Sequence, residues 1–185
     1  YLFDPFYGAL SYGAYWEDMP ETIIVGISQN INEERIDDCN YDDANGLPSG
    51  KGAAFFSFIG GELLPYIEKK YRVAPFRIIA GHDTTAGFSN FFLYKEYSIF
   101  NAYISLSPEL VPEMETLIPE RFAALKQPLF YYQSTGDGDI KDILEPVKKL
   151  DENIKTANNP LINYKYDAFK GASHYSSVLY SIPNA

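Results

Sequence analysis

The order of segments predicts an α/β domain built on a doubly wound, mostly parallel sheet with helices on both faces. Three observations predict it. Short β-branched and aromatic runs without polar alternation recur at residues 22–27, 76–80 and 101–106, as in strands buried on both faces of a parallel sheet. Stretches of helical period separate them, long enough to serve as crossovers. Residues able to do chemistry fall just past the ends of these runs, where such sheets bind their ligands.

The first segment, Tyr1-Leu2-Phe3-Asp4, reads as the end of a strand entering a Pro-containing loop over 5–15. Residues 22–27 (Thr-Ile-Ile-Val-Gly-Ile) form the first full strand, and 28–50, rich in Asn, Asp and Gly, reads as a long surface loop. From 51 to 71 apolar residues recur at helical spacing (Phe55, Phe58, Ile59, Leu63, Ile67, Tyr71). Pro65 is expected to kink or restart that helix, and Gly60-Gly61 to weaken its middle, giving two helical pieces. The run 76–80 is a strand; Phe88, Phe91, Phe92 and Phe100 mark a helix from Thr84 to about Tyr97. A strand at 101–106, a helix at 112–124, a strand at 128–133 and a helix at 140–154 follow. The last strand is 161–166, and a short helix begins near Ser176. On this reading Asp4, Asp83, Asp137, Asp139 and His174 share one rim of the sheet.

Composition narrows the function. The 185 residues are 46% apolar, enough for one domain with a substantial core. Fifteen basic against twenty-five acidic residues give a formal charge of −10, which disfavours a nucleic-acid partner, since phosphate binding rests on clustered cations. The 16 Tyr and 13 Phe are expected mainly in core and sheet. Cys39 stands alone beside Asp37, Asp38, Asp42 and Asp43, so neither an intrachain disulfide nor a cysteine zinc site is predicted, and those acids raise rather than lower a thiol pKa. The same four aspartates lack the Gly and closing Glu of a calcium loop; a solvated loop is expected, with a weak cation site as the alternative. The 136–139 run (Gly-Asp-Gly-Asp) has the same two readings beside a third, a loop supplying a catalytic acid. No apolar run is long enough to span a membrane.

The most informative stretch is Phe76-Arg77-Ile78-Ile79-Ala80-Gly81-His82-Asp83-Thr84-Thr85. Strand, sharp Gly turn, helix is the setting of a nucleophile elbow, in which G-x-S-x-G projects a serine from the top of a sheet. Here Asp83 stands at the serine position and Thr85 at the second glycine.

Taken with the order of the other motifs, this stretch resembles the putative-esterase branch of the α/β-hydrolase fold, which holds enterochelin (siderophore) esterases and S-formylglutathione hydrolase. The matching residues are Tyr1-Leu2-Phe3-Asp4, Ile24-Val25-Gly26-Ile27 and Arg35-Ile36-Asp37-Asp38, then Phe58-Ile59-Gly60-Gly61-Glu62-Leu63 and Arg77-Ile78-Ile79-Ala80-Gly81-His82. Ile104-Ser105-Leu106-Ser107-Pro108 and the late His174 complete the series. The resemblance implies one α/β-hydrolase-like domain over 1–185, forming the C-terminal major part of a family member whose N-terminal strands precede Tyr1. It implies substrates that are esters, thioesters or siderophore lactones, and no metal or organic cofactor. With the upstream segment missing from view, a cytoplasmic and a periplasmic or cell-envelope location both stay open.

By the family's pattern Asp83 holds the nucleophile position and His174 the base position. Asp137 or Asp139 supplies the acid, with Asp137 preferred because it directly follows Gly136. The Thr84 N–H and one from the loop after Asp4 would form the oxyanion hole. Three departures cut against serine chemistry: Asp83 for Ser, Thr85 for Gly, and Pro5 for the Gly after Asp4. A carboxylate is a weak nucleophile toward esters and repels the oxyanion that must form beside it. The leading expectation is therefore a degenerate esterase whose cleft binds a small-molecule ligand or a protein partner, with Asp83 and His174 forming a structural ion pair. An Asp83 nucleophile acting on an sp³ carbon, as in dehalogenases and epoxide hydrolases that also carry Gly-His-Asp, is the alternative. A shift of register that makes Thr85 the nucleophile comes last. His174 has its own bland reading as a capping or surface histidine, and His82 is expected to pack beneath the turn.

Overall fold

A computed structural model describes residues 2–28 and 32–185. Its centre is a four-stranded, all-parallel sheet in the order β3 (Ile78–His82), β4 (Ala102–Leu106), β5 (Leu129–Gly138), β6 (Ile162–Ser173). Before it, β1 (Tyr41–Asp42) and β2 (Leu47–Pro48) form a small antiparallel hairpin. Three crossovers join the parallel strands: α5 (Thr84–Ser89) with a following 3₁₀ segment Asn90–Tyr94, α6 (Met114–Ala123) and α7 (Lys141–Thr156). Because the strands are added in sequence order, right-handed crossovers put all three on one face. That face carries the main core, in which Phe88, Phe91, Phe92, Ile118, Phe122 and Leu150 pack on Tyr103, Leu129 and Tyr131. The opposite face is covered from the two ends of the chain. There α8 (Ser177–Ser181) and Ile182 meet Leu106 and Tyr132, flanked by Leu2, Phe6 and Ala9 of the N-terminal segment. Successive strand residues divide between the faces, Tyr103 to one and Ile104 to the other, as a period of two requires.

Much of the aromatic load forms one connected column. Phe56 stacks on Phe92 at 4.2 Å, Phe92 meets Phe100 edge to face at 5.1 Å, and Tyr131 meets Phe122 edge to face at 5.3 Å. The buried Tyr131 hydroxyl donates to Asn90 Oδ1 (3.1 Å), which satisfies a polar tip that would otherwise be costly inside the core.

Several segments depart from the sequence reading. Residues 3–15 are not a strand end and loop but a helix, α1 (Phe3–Tyr15). Pro5 sits in its first turn, where the missing N–H is one of the helix's orphan donors, and Asp4 lies at the favourable positive end. Asp4 therefore does not follow the end of a strand. Residues 22–27 belong to no strand; Ile23, Val25 and Ile27 are each more than 40% exposed. The segment lies along α1, with Gly26 against the Phe3 ring, and no described strand pairs with the outer edge of β3. A strand is defined by its partner, and this run has none among the described residues. The supposed loop at 28–50 contains α2 (Asn32–Asp38) and the β1–β2 hairpin, turned by Gly46 at φ 63°. Residues 29–31 of that stretch lie outside the described residues.

The helix at 51–71 does divide in two. α3 (Gly50–Phe58) and α4 (Leu64–Lys70) flank a π-helical turn at Ile59–Leu63. The wider turn accommodates Pro65, which cannot donate to the carbonyl four residues back. The helix after β3 stops at Tyr94 rather than Tyr97. β5 and β6 each run well past their predicted ends because they continue to pair, with a bulge near Gly136 and Gly138, as far as Gly138 opposite Ser173. Asp137 thus lies within a strand, and Asp139 is the first carboxylate beyond it. No helix among the described residues is long and apolar enough to cross a membrane.

Candidate active site

The turn from β3 into α5 is set by two close approaches. A Cβ on Gly81 would lie 2.5 Å from the Thr85 carbonyl oxygen, and one on Gly87 only 1.9 Å from that of Glu109. Only glycine fits either place. Between them Asp83 is held at φ 61°, ψ −133°, a conformation costing about 1–3 kcal/mol for a residue with a side chain. The surroundings fix it there. The Asp83 N–H donates to the Leu106 carbonyl (3.1 Å), and the Asp83 carbonyl accepts from Ala86 (3.0 Å), Gly87 (3.1 Å) and Glu109 (3.2 Å). Thr84 opens α5, a position whose N–H has no intrahelical acceptor.

Across the rim, β6 delivers His174. Its carbonyl is held by the Ser177 hydroxyl (2.9 Å) and by His82 Nε2 (3.1 Å), and the two imidazoles are tilted against each other at 4.4 Å. His174 Nδ1 lies 2.8 Å from Asp139 Oδ1. Asp139 is fully enclosed and also accepts from the Thr135 hydroxyl (2.7 Å) and the Ile140 N–H (2.7 Å). Burial raises its pKa, but the bonds from Thr135, Ser107, His174 and Ile140 outweigh that and leave it below the ordinary carboxylate range. The carboxylate on Nδ1 fixes that nitrogen as a protonated donor and leaves Nε2 as the ring's outward-facing nitrogen. That Nε2 is buried, has no hydrogen-bond partner, and faces Asp83 Oδ1 at 3.6 Å, beyond hydrogen-bonding distance.

Of the residues singled out from sequence, Asp83, His174 and Asp139 come together, with Thr84 adjoining. Asp137, the preferred acid, does not join them: its carboxylate accepts from the Gly171 N–H (2.6 Å), because the extended β5–β6 pairing carries it away from the histidine. The loop after Asp4 supplies no donor either, since it is helix and the Phe6 N–H is spent on the Leu2 carbonyl (3.2 Å). The Thr85 hydroxyl donates to the His82 carbonyl (2.8 Å) and accepts from the His82 N–H (3.1 Å), which ties it behind the turn. His82 itself is 2% exposed, and burial lowers its pKa. Cys39 is buried in the main core, and burial first, then Asp38, pushes its thiol up to about 12. Sequence reasoning did not single out Ser107, Thr135, Ser177, Glu109 or Tyr175. The only available signal was position, each lying within three residues of a strand end or of His174.

The model of the family described as Putative esterase matches residues 8–161. The chain belongs to that family. Among solved structures, an uncharacterised protein from Capnocytophaga ochracea superposes with a TM-score of 0.88 at 26% identity, over 99% of this chain and 51% of that one. The BES protein from Bacillus cereus follows at TM-score 0.83 and 23% identity, covering 99% and 76%. The siderophore hydrolase EstA from Aspergillus nidulans matches at 0.67 and 15%, covering 99% and 76%. The chain thus spans about half the length of the Capnocytophaga structure. No curated protein sequence matches it. An esterase-like α/β-hydrolase fold is the common ground, and the family's sheet rim is where Asp83, Asp139 and His174 converge.

Proposed function

We propose that this Putative esterase family member is catalytically degenerate, and that its cleft binds a small-molecule ester, a related ligand or a protein partner without cleaving it. One observation carries the reading. Where the turn of an active serine hydrolase presents a hydroxyl to the histidine, this turn presents the Asp83 carboxylate to His174 Nε2. A hydroxyl gives up its proton to that nitrogen as it attacks; an ionised carboxylate has none to give. Its charge also stands where the oxyanion of a tetrahedral intermediate would grow, opposing the step that an oxyanion hole assists. The engaged Phe6 N–H supports the same view, since it leaves the Thr84 N–H without the second donor expected there.

A second reading has its own support, the intact Asp139–His174 pair. In that reading an Asp83 oxygen attacks an sp³ carbon, and the leaving group departs with the bonding electrons as halide or alkoxide. His174 then takes a proton from the water that attacks the carbonyl of the resulting Asp83 ester, which releases an alcohol and restores the carboxylate.

Hydrolysis of short-chain p-nitrophenyl esters by the full-length protein, beside Asp83→Ala and Asp83→Ser, tests the first reading. Neither the unaltered protein nor Asp83→Ala is expected to turn over, whereas Asp83→Ser gains measurable activity. Turnover by the unaltered protein that Asp83→Ala abolishes overturns it. An alkyl adduct found on Asp83 by mass spectrometry after exposure to an epoxide or haloalkane decides for the second.

A further inference from the structure

Two residues from opposite edges of the parallel sheet meet at the site. The turn carrying Asp83 follows β3, and His174 follows β6, the outer strands of the order β3-β4-β5-β6. Three strand spacings, roughly 14 Å in a flat sheet, separate those edges, and the strand ladder joins them only through β4 and β5. Asp83 Oδ1 and His174 Nε2 nevertheless stand 3.6 Å apart.

The residue before Asp83 bridges that span directly. His82 closes β3, is buried, and reaches the backbone carbonyl of His174 through Nε2 (3.1 Å). A carbonyl has no proton to give, so Nε2 carries the shared one. The two rings also lie against each other, with centroids 4.4 Å apart. On its own side the main chain of His82 is fixed by the Thr85 hydroxyl, which bonds both its N–H (3.1 Å) and its carbonyl (2.8 Å). On the far side the His174 carbonyl accepts a second bond, from the Ser177 hydroxyl (2.9 Å). That commits the one Ser177 proton, so in the 3.2 Å contact between the two hydroxyls Ser107 is the donor. Ser107 lies just beyond β4 at φ 40°, a strained value for a residue with a side chain, and its N–H is held by the Ser134 carbonyl (2.8 Å). The ends of β3 and β4 thus both bear on one backbone carbonyl, and His82, Ser107 and Ser177 are all buried, out of reach of a replacing water.

These bonds restrain His174 differently from Asp139. The Asp139 carboxylate on Nδ1 sets how the ring is turned. The bonds to the carbonyl set where its backbone stands relative to β3. Both are needed to keep Nε2 in one place, and a misplacement of about 1 Å in such a constellation can cost about 10²-fold in rate.

We propose that His82 is a positioning residue of this site, whose Nε2–H bond to the His174 carbonyl sets the spacing between the side chain at position 83 and the His174 ring. The role is the same whether residue 83 is a relic or a nucleophile, so it goes beyond the function proposed above and does not depend on it.

Asp83→Cys provides the test, because a histidine held beside a thiol favours the thiolate that iodoacetamide alkylates. Mass spectrometry of the full-length protein separates this site from Cys39, which is buried in the core with its thiol pushed up to about 12. The nearby carboxylates of Glu109 and Asp139 are common to every variant compared. At pH 6, Asp83→Cys is expected to react about tenfold or more faster than Asp83→Cys with His174→Ala. Adding His82→Met, which keeps the bulk without the donor, should erase most of that advantage. Adding His82→Gln, which restores an N–H at similar reach, should keep it. If His82→Met does not fold, His82→Phe makes the same comparison with a ring retained. An advantage that survives loss of the donor overturns the proposal; a lowered melting temperature with unchanged alkylation then marks His82 as structural only. Equal losses with His82→Met and His82→Gln also overturn it, since the donor would not be the cause. No advantage over His174→Ala at the outset means that His174 is not held against position 83, and the assigned spacing fails.

Discussion

The two halves of the site have fared differently. The half built by β5 and β6 holds a buried carboxylate that accepts from Thr135, from Ile140 and from a histidine fixed in turn through its backbone carbonyl. The half built by β3, α5 and α1 keeps a strained turn, with two glycines that nothing else could replace, yet it carries a carboxylate and a β-branched threonine. Backbone geometry is common to both halves; the hydrogen-bonded acid–histidine pair belongs to the first. A turn is fixed by packing against its neighbours, and packing does not care which short side chain projects from it into the cleft. A charge relay is fixed by hydrogen bonds to named atoms, so its members cannot drift singly without stranding a buried polar group.

If that contrast is right, the largest effect in the turn comes from backbone crowding and not from Asp83. Gly87→Ala places a methyl group 1.9 Å from a backbone oxygen that cannot move without opening the turn. It should cost about 3 kcal/mol or more in urea unfolding, the upper end for overpacking. Gly61→Ala, with open space at its Cβ, serves as the reference and should not destabilise. A normally stable Gly87→Ala would mean that the turn is pliable and the contrast false.

On the other half, Asp139→Asn should cost about 1–3 kcal/mol at pH 7, the range for a buried acceptor whose donors lose their partner. It should also alter the acid limb. The folded-state pKa of Asp139 lies below its unfolded value, so its contribution is present above the unfolded pKa of about 4 and is lost as pH falls through the folded value. Unfolding free energy measured from pH 7 to pH 2.5 should fall more steeply below about pH 4 in the unaltered protein than in Asp139→Asn. Parallel curves would show that the carboxylate is not held by its donors.

What the sequence disclosed follows the same line. Strand β4 was legible because Ala102–Leu106 is buried on both faces, and the split of the long helix because Gly60, Gly61 and Pro65 disfavour a regular one. The run at 22–27 misled because its β-branched character signals a strand only when a neighbour is there to pair with it, and hydropathy does not show the neighbour. Asp137 and Asp139 could not be told apart for a related reason. Which of two aspartates two residues apart meets the histidine depends on how far β5 and β6 stay paired, and the bulge near Gly136 sets that. Glu109 was out of reach altogether, since only the fold brings its N–H to the Asp83 carbonyl and its carboxylate to the Thr84 hydroxyl.

The smallest effect isolates how the turn tolerates its second departure. Thr85 stands where the family pattern has glycine, and its hydroxyl both donates to the His82 carbonyl and accepts from the His82 N–H. Those two bonds bind the start of α5 to the end of β3, so the β-branched side chain does useful service in the crowded position. Thr85→Ser keeps both and should shift unfolding by less than about 0.5 kcal/mol. Thr85→Val keeps the shape, removes both, and should cost about 1 kcal/mol. Equality of the two variants would mean that the four backbone bonds of Asp83 hold the turn unaided. A cost confined to Thr85→Val would mean that the second glycine could be given up because a hydroxyl took over part of its work, with the Gly81 and Gly87 contacts already fixing the path of the chain.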